Sequence, residues 1–104
     1  MARQFDVVPN PETAEAGQRP FLVVLQSDLV SGLVSTVVAP LIPRERVAGA
    51  DRLNPIVMID GREYWLATHE LFAVDRRLLR TEVANLESRR DAIIAALDLL
   101  FIGF

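Results

Sequence analysis

The last seventeen residues, Ser88 to Phe104 (SRRDAIIAALDLLFIGF), constrain what this 104-residue chain can fold into more than any other stretch. Ser88 followed three residues later by Asp91, just ahead of an apolar run, is an N-cap signature: hydroxyl and carboxylate take up N–H groups that the first turn leaves unpaired. A helix is predicted from there. At about 100° per residue, Ile93, Ile94, Leu97, Leu100 and Phe101 share one side, a stripe suited to lying on a sheet. Asp91, Ala95, Asp98 and Ile102 lie opposite, with Ala92 and Leu99 beside them, so the helix is apolar over more of its girth than one sheet covers. The excess predicts a further partner. Asp98 sits in the last turn, where the carbonyl end disfavours a carboxylate by up to about 1 kcal/mol. The ending Phe101-Ile102-Gly103-Phe104 is apolar where chain ends are usually polar, which predicts docking on this protein or another.

Upstream, the pattern is that of short strands. Gln4 to Val8 alternates polar and apolar and stops at Pro9 and Pro11; Asn10 to Arg19 has no period and reads as a loop or hairpin tip. Phe21 to Leu25 is too apolar to be solvated on one face, which predicts a central strand. Gln26-Ser27-Asp28 breaks the run, and Leu29-Val30, before the turn residues Ser31-Gly32, are expected to be exposed. Leu33 to Ala39 reads as a strand ended by Pro40, with Leu41-Ile42-Pro43 extended beyond it. Arg44 to Asn54 reads as a loop. The Asp60-Gly61 pair, between Pro55–Ile59 and Arg62–Ala67, predicts a tight hairpin, because both residues accept the positive φ such a turn needs. His69 to Val74 is read as a strand, as is Leu78-Leu79 through Val83. Many short strands and one C-terminal helix predict a single domain, mainly β: a small, strongly bent antiparallel sheet or barrel with the helix against it.

Composition removes several function classes. At 51% apolar and 24% charged residues the chain is ordinary for a globular protein, and a net charge of −3 argues against a free-standing nucleic-acid binder. Without cysteine there is no disulfide, thiolate metal site or cysteine nucleophile. No apolar leader and no run near the roughly eighteen residues of a membrane span is present, so a cytoplasmic location is expected. His69 has no neighbouring nucleophile or companion ligand, and is expected to be structural. Arg76, Arg77 and Arg80 form the densest basic cluster, with Arg44, Arg46 and Arg52 in the long loop. They could hold phosphates, accept carboxylates of an acidic partner peptide, or simply be solvated among Glu45, Asp51, Asp75 and Glu82. Trp65 fits an interface anchor and a core position equally well. No phosphate loop, metal motif or nucleophile elbow occurs, so neither an enzyme nor a cofactor or metal is expected.

Gln4-Phe5, Leu25-Gln26-Ser27-Asp28-Leu29-Val30, Val38-Ala39-Pro40-Leu41, Leu53-Asn54-Pro55-Ile56-Val57 and Asp98-Leu99-Leu100-Phe101-Ile102-Gly103-Phe104, in this order and spacing, resemble the CcdB family of type II toxin–antitoxin toxins. The resemblance implies a CcdB/MazF-like homodimer with a curved sheet, a smaller wing sheet and a terminal helix. It also implies a protein that binds the GyrA subunit of DNA gyrase, traps the cleaved gyrase–DNA complex and is neutralised by a CcdA-like antitoxin. Together with that antitoxin it would bind operator DNA and repress its own operon. Carried over by position, the gyrase-facing residues would be Leu29, Val30, Asp98, Phe101, Ile102, Gly103 and Phe104. Trp65, Arg76 and Arg77 are candidates for the antitoxin contact. The family pattern has Trp where this chain has Ile102, Asn where it has Asp98 and Ile where it has Phe104. That difference leaves open a non-toxic or retargeted homologue that still binds an antitoxin; a third alternative is an mRNA endoribonuclease on the related fold.

Overall fold

In the computed structural model, which describes residues 2–12, 14, 17–46 and 48–103, the alternation of apolar side chains along three neighbouring strands sorts the core into two. β1 (Asp6–Pro9), β2 (Phe21–Val24) and β3 (Ser35–Pro43) are antiparallel neighbours, with Val7 opposite Val23 and Val23 opposite Ala39. Successive side chains on a strand point to opposite faces. Val7, Val23, Ala39 and Leu41 therefore enter one buried cluster, and Val8, Leu22, Val24 and Val38 enter the other. β2 is central, as its unbroken apolar run requires.

The remaining strands are β4 (Ile56–Ile59), β5 (Arg62–Leu66), β6 (Phe72–Asp75) and β7 (Ala84–Asn85), and the sheet runs β4-β5-β3-β2-β1-β7. It is a nearly closed, barrel-like antiparallel sheet. The expected smaller wing takes the form of a branch: on the side away from β2, β3 pairs with β6 through Ser35–Val38 and with β5 through Leu41–Pro43. Pro40 lies at this handover. Its carbonyl accepts from the Ala67 N–H at 2.9 Å on the β5 side, so the N–H that proline lacks would have pointed into the gap between the two partners. That is why the expected stop at Pro40 does not occur and β3 runs on to Pro43. Asp60 (φ 50°) and Gly61 (φ 80°) make the predicted hairpin between β4 and β5.

Other boundaries differ from expectation. Gln4 and Phe5 form a turn before β1, with Phe5 at φ 69°. Leu33 and Val34 belong to a turn rather than to β3. Thr68–Glu70 is a 3-10 turn, so of the strand expected over His69 to Val74 only Phe72 to Val74 is β, continuing to Asp75. Arg76–Leu78 is another 3-10 turn, because Asp75 caps it: its Oδ1 accepts from the Arg77 N–H at 2.9 Å. The strand expected over Leu78 to Val83 does not form; β7 begins just after it, at Ala84.

The helix α1 (Arg90–Phe101) begins one residue later than a Ser88 cap implies, after a 3-10 turn at Glu87–Arg89. Ser88 is not its cap. Asn85 performs that service for the preceding turn, accepting from the Glu87 N–H at 2.8 Å while donating to Asp6 Oδ1 at 2.8 Å. Ile93 and Ala96 are fully buried, and Ile94 and Leu97 pack beside them on the first cluster. Phe101, placed on the core stripe by periodicity, is 68% exposed and, unlike Ile93, Ile94 and Leu97, takes no part in the first cluster.

A candidate protein-docking site

The polar block Gln26-Ser27-Asp28 looks like a surface loop in sequence, yet its side chains all turn back on the backbone. Ser27 Oγ accepts from the Leu29 N–H at 3.1 Å, Asp28 Oδ1 from the Gln4 N–H at 2.9 Å, and Gln26 Oε1 from the Val37 N–H at 3.1 Å. The Gln26 amide also donates to the Val30 carbonyl at 3.1 Å. These bonds wind Asp28–Val30 into one 3-10 turn and satisfy its polar groups. What remains to face outward is aliphatic: Leu29 is 95% exposed and Val30 46%. Single exposed apolar residues are ordinary, but Leu33 and Val34 follow at 57% and 72%. Their Leu and Val side chains read as the start of a strand; the signal against that is the Ser31-Gly32 turn directly before them.

The second apolar point is the end of α1. Its last carbonyls are closed by Gly103, which at φ 97° donates to Leu99 O and Asp98 O, both at 3.1 Å, the left-handed stop that glycine permits. This closure leaves Phe101 and Ile102 (61% exposed) projecting from the helix end. Asp98 is exposed beside them, has no ion pair or hydrogen bond to its carboxylate among the described residues, and no basic residue occupies the last turn. Phe104 lies outside the described residues. Leu25, just before the Leu29-Val30 turn, belongs to the same core cluster as Ile94 and Leu97, so both points are rooted in one core although they sit on different elements.

Trp65 and the two arginines do not form one patch. Trp65 pairs opposite Ile42 and Asp75 opposite Ser35 along β3, roughly 20 Å apart at ~3.3 Å per residue. The Trp65 ring is half-buried, donates from Nε1 to the Arg44 carbonyl at 3.3 Å, lies under the Arg44 guanidinium at 5.7 Å, and is covered by Gly49. Arg77 is paired with Asp75 at 2.8 Å, and that pairing holds the Asp75 carboxyl down at about 2, from 3.8. Arg76 donates to the Leu33 and Ala2 carbonyls at 3.4 and 3.3 Å. His69 accepts from the buried Asn54 amide at Nδ1 (3.3 Å), and Glu70, 4.0 Å from its Nε2, is held by Arg19 at 2.8 Å. Glu70 is pushed below its ordinary carboxylate range by that Arg19 hydrogen bond. A carboxylate so engaged is a poor general base. No group of three or more His, Asp or Glu gathers for a metal ion among the described residues, and no helix is long and apolar enough to cross a membrane.

What the arrangement can do is bury apolar surface on another macromolecule. Compared with protein-family models, residues 4–103 match the one described as CcdB protein. No curated protein matches the chain.

Proposed function

This chain belongs to the CcdB family, and from that premise we propose that it is a toxin acting by contact rather than catalysis: a homodimer that binds the GyrA subunit of DNA gyrase and traps the gyrase–DNA cleavage complex. The contact is made by Leu29 and Val30 on their turn and by Asp98, Phe101, Ile102, Gly103 and Phe104 at the helix end. A CcdA-like antitoxin neutralises the protein, touching Trp65 and, separately, Arg76 and Arg77. The pair of proteins represses its own operon on operator DNA. The observation that carries this reading is the 68% and 61% exposure of Phe101 and Ile102 at the helix end that Gly103 closes. Exposed apolar anchors on a rigid element lose little entropy on docking.

Deleting Ile102 to Phe104 tests the reading. The truncated protein keeps Ile93 and Ala96 and is expected to stay folded, while growth arrest on expression and gyrase-mediated DNA cleavage in vitro both disappear. Arrest by the truncated protein as strong as by the full chain sinks the reading. A second reading is favoured by Ile102 itself, which offers less contact area than the Trp of the family pattern and no ring. In that case the protein binds its antitoxin but leaves gyrase untouched. Expression of the gene alone in a host with ordinary gyrase separates the two.

A further inference from the structure

Behind the exposed loop lies a recess of about 580 Å³ between Ser31–Val34 and the segment Arg76–Leu79. Ala2, Leu33, Val34 and Leu79 supply apolar walls, Arg76 and Arg77 supply cations, and among the described residues no Asp or Glu lines it. Arg77 is spoken for by Asp75. Arg76 is different: two of its nitrogens, Nε and Nη1, donate to the Leu33 and Ala2 carbonyls, one from the loop and one from the N-terminal segment. Its Nη2 has no partner among the described residues. A guanidinium locked in place at the edge of an apolar recess loses little freedom when it binds a carboxylate. The occupant this chemistry rewards therefore carries an apolar side chain and an anion close together.

The walls also say how large the occupant is. Small-molecule sites enclose most of their ligand, but here Leu33 and Val34 are 57% and 72% exposed and Leu29, next along the loop, is 95% exposed. A ligand filling the recess alone would leave this ridge in water. A chain continuing out of the recess would cover it. We propose that the recess is a docking site for an acidic, aliphatic-rich segment of a partner protein, its aliphatic side chains against Leu33, Val34 and Leu79 and a carboxylate on Arg76 Nη2. The proposal deepens the Arg76 part of the antitoxin reading and rests on it only in that a partner protein touches Arg76. Its test uses no gyrase, so failure here leaves the helix-end contact standing.

The experiment is a titration of the intact isotope-labelled protein, followed by amide resonances, with short synthetic peptides alternating Leu with Glu, with Gln or with Lys. The Leu/Glu peptide is expected to shift the amides of Ala2, Leu33, Val34 and Leu79. The Gln and Lys versions should bind about tenfold more weakly, the scale of one charge-assisted hydrogen bond. Arg76→Gln should erase the preference for Glu. Because Arg76 also ties two carbonyls, Val34→Ser provides the second variant: it alters an exposed side chain and should weaken all three peptides alike. Equal binding of the Glu and Lys peptides, or no shift at these amides, overturns the proposal. So does saturation of the same resonances by octanoate where the peptide has no effect, or their movement with protein concentration alone, which assigns the recess to a small anion or to a second copy.

Discussion

Three single residues carry consequences that their neighbours fix. Thr36 is fully buried on β3, and its Oγ1 has no hydrogen-bond partner among the described residues. A buried, unpaired hydroxyl costs about 1–3 kcal/mol. Thr36→Val keeps the shape and removes the hydroxyl, so it is expected to stabilise by about 1 kcal/mol, raising Tm by about 4–8 °C for a chain of this size; a lowered Tm contradicts this. Gly49 is the reverse case, because a Cβ there would lie 2.4 Å from Trp65 Cε3. Trp65 is the chain's single tryptophan, so Gly49→Ala should change its intrinsic fluorescence, with a shift of the emission maximum to longer wavelength as the ring is pushed from its half-buried seat. Asp75 provides a titration. Its carboxyl is lowered from 3.8 to about 2 by the Arg77 side chain and then the Arg77 N–H. A carboxylate whose folded pKa lies below the unfolded one stabilises fully above the unfolded value and loses that contribution as pH falls through the folded one. The stability gap between wild type and Asp75→Asn is therefore expected to be constant at neutral pH and to close between pH 3.8 and about 2, as read by urea midpoints across that range.

At the level of the elements, the same α1 presents two kinds of apolar residue, and substitution should tell them apart. Ile93→Ala removes a fully buried side chain from the main cluster and is expected to cost about 2–5 kcal/mol. Ile102→Ser alters a side chain that is already 61% exposed and should leave the unfolding midpoint within about 0.5 kcal/mol of wild type. Comparable losses from both would mean that the helix end is part of the core. Residue patterns made much of this legible: the Asp60-Gly61 hairpin, the central β2 and the inward Ile93 follow from φ preferences and periodicity. What they could not give depends on partners distant in sequence. Ser88 looks like a cap until Asn85, fixed through Asp6 of β1, takes the preceding turn. Pro40 looks like a stop unless β3 is known to change partners there. The candidate docking surface was half visible. Leu29, Val30 and Ile102 could be picked out as unaccommodated, whereas Leu33 and Val34 imitate a strand and Arg76 gains its meaning from two carbonyls remote in the chain.

For the molecule as a whole, the question is what balances so much exposed apolar surface. Leu29, Val34, Leu33, Phe101 and Ile102 are each more than half exposed. Exposed apolar residues gathered into a patch mark interaction sites in a monomeric protein or liabilities in an isolated one, and a chain of this length buries only a modest core of its own. Self-association and target binding would draw on different parts of that surface. If a dimer used the helix end, target binding would have to compete with it; if it used another face, the two would be independent. Sedimentation of wild type beside a Phe101→Ser, Ile102→Ser double variant decides this. A dimer in solution is expected for the wild type. If the double variant also sediments as a folded dimer and no longer arrests growth, the helix end is reserved for a foreign partner. If it sediments as a folded monomer, the helix end is the dimer seam, and a gyrase contact there would have to be built from both copies at once.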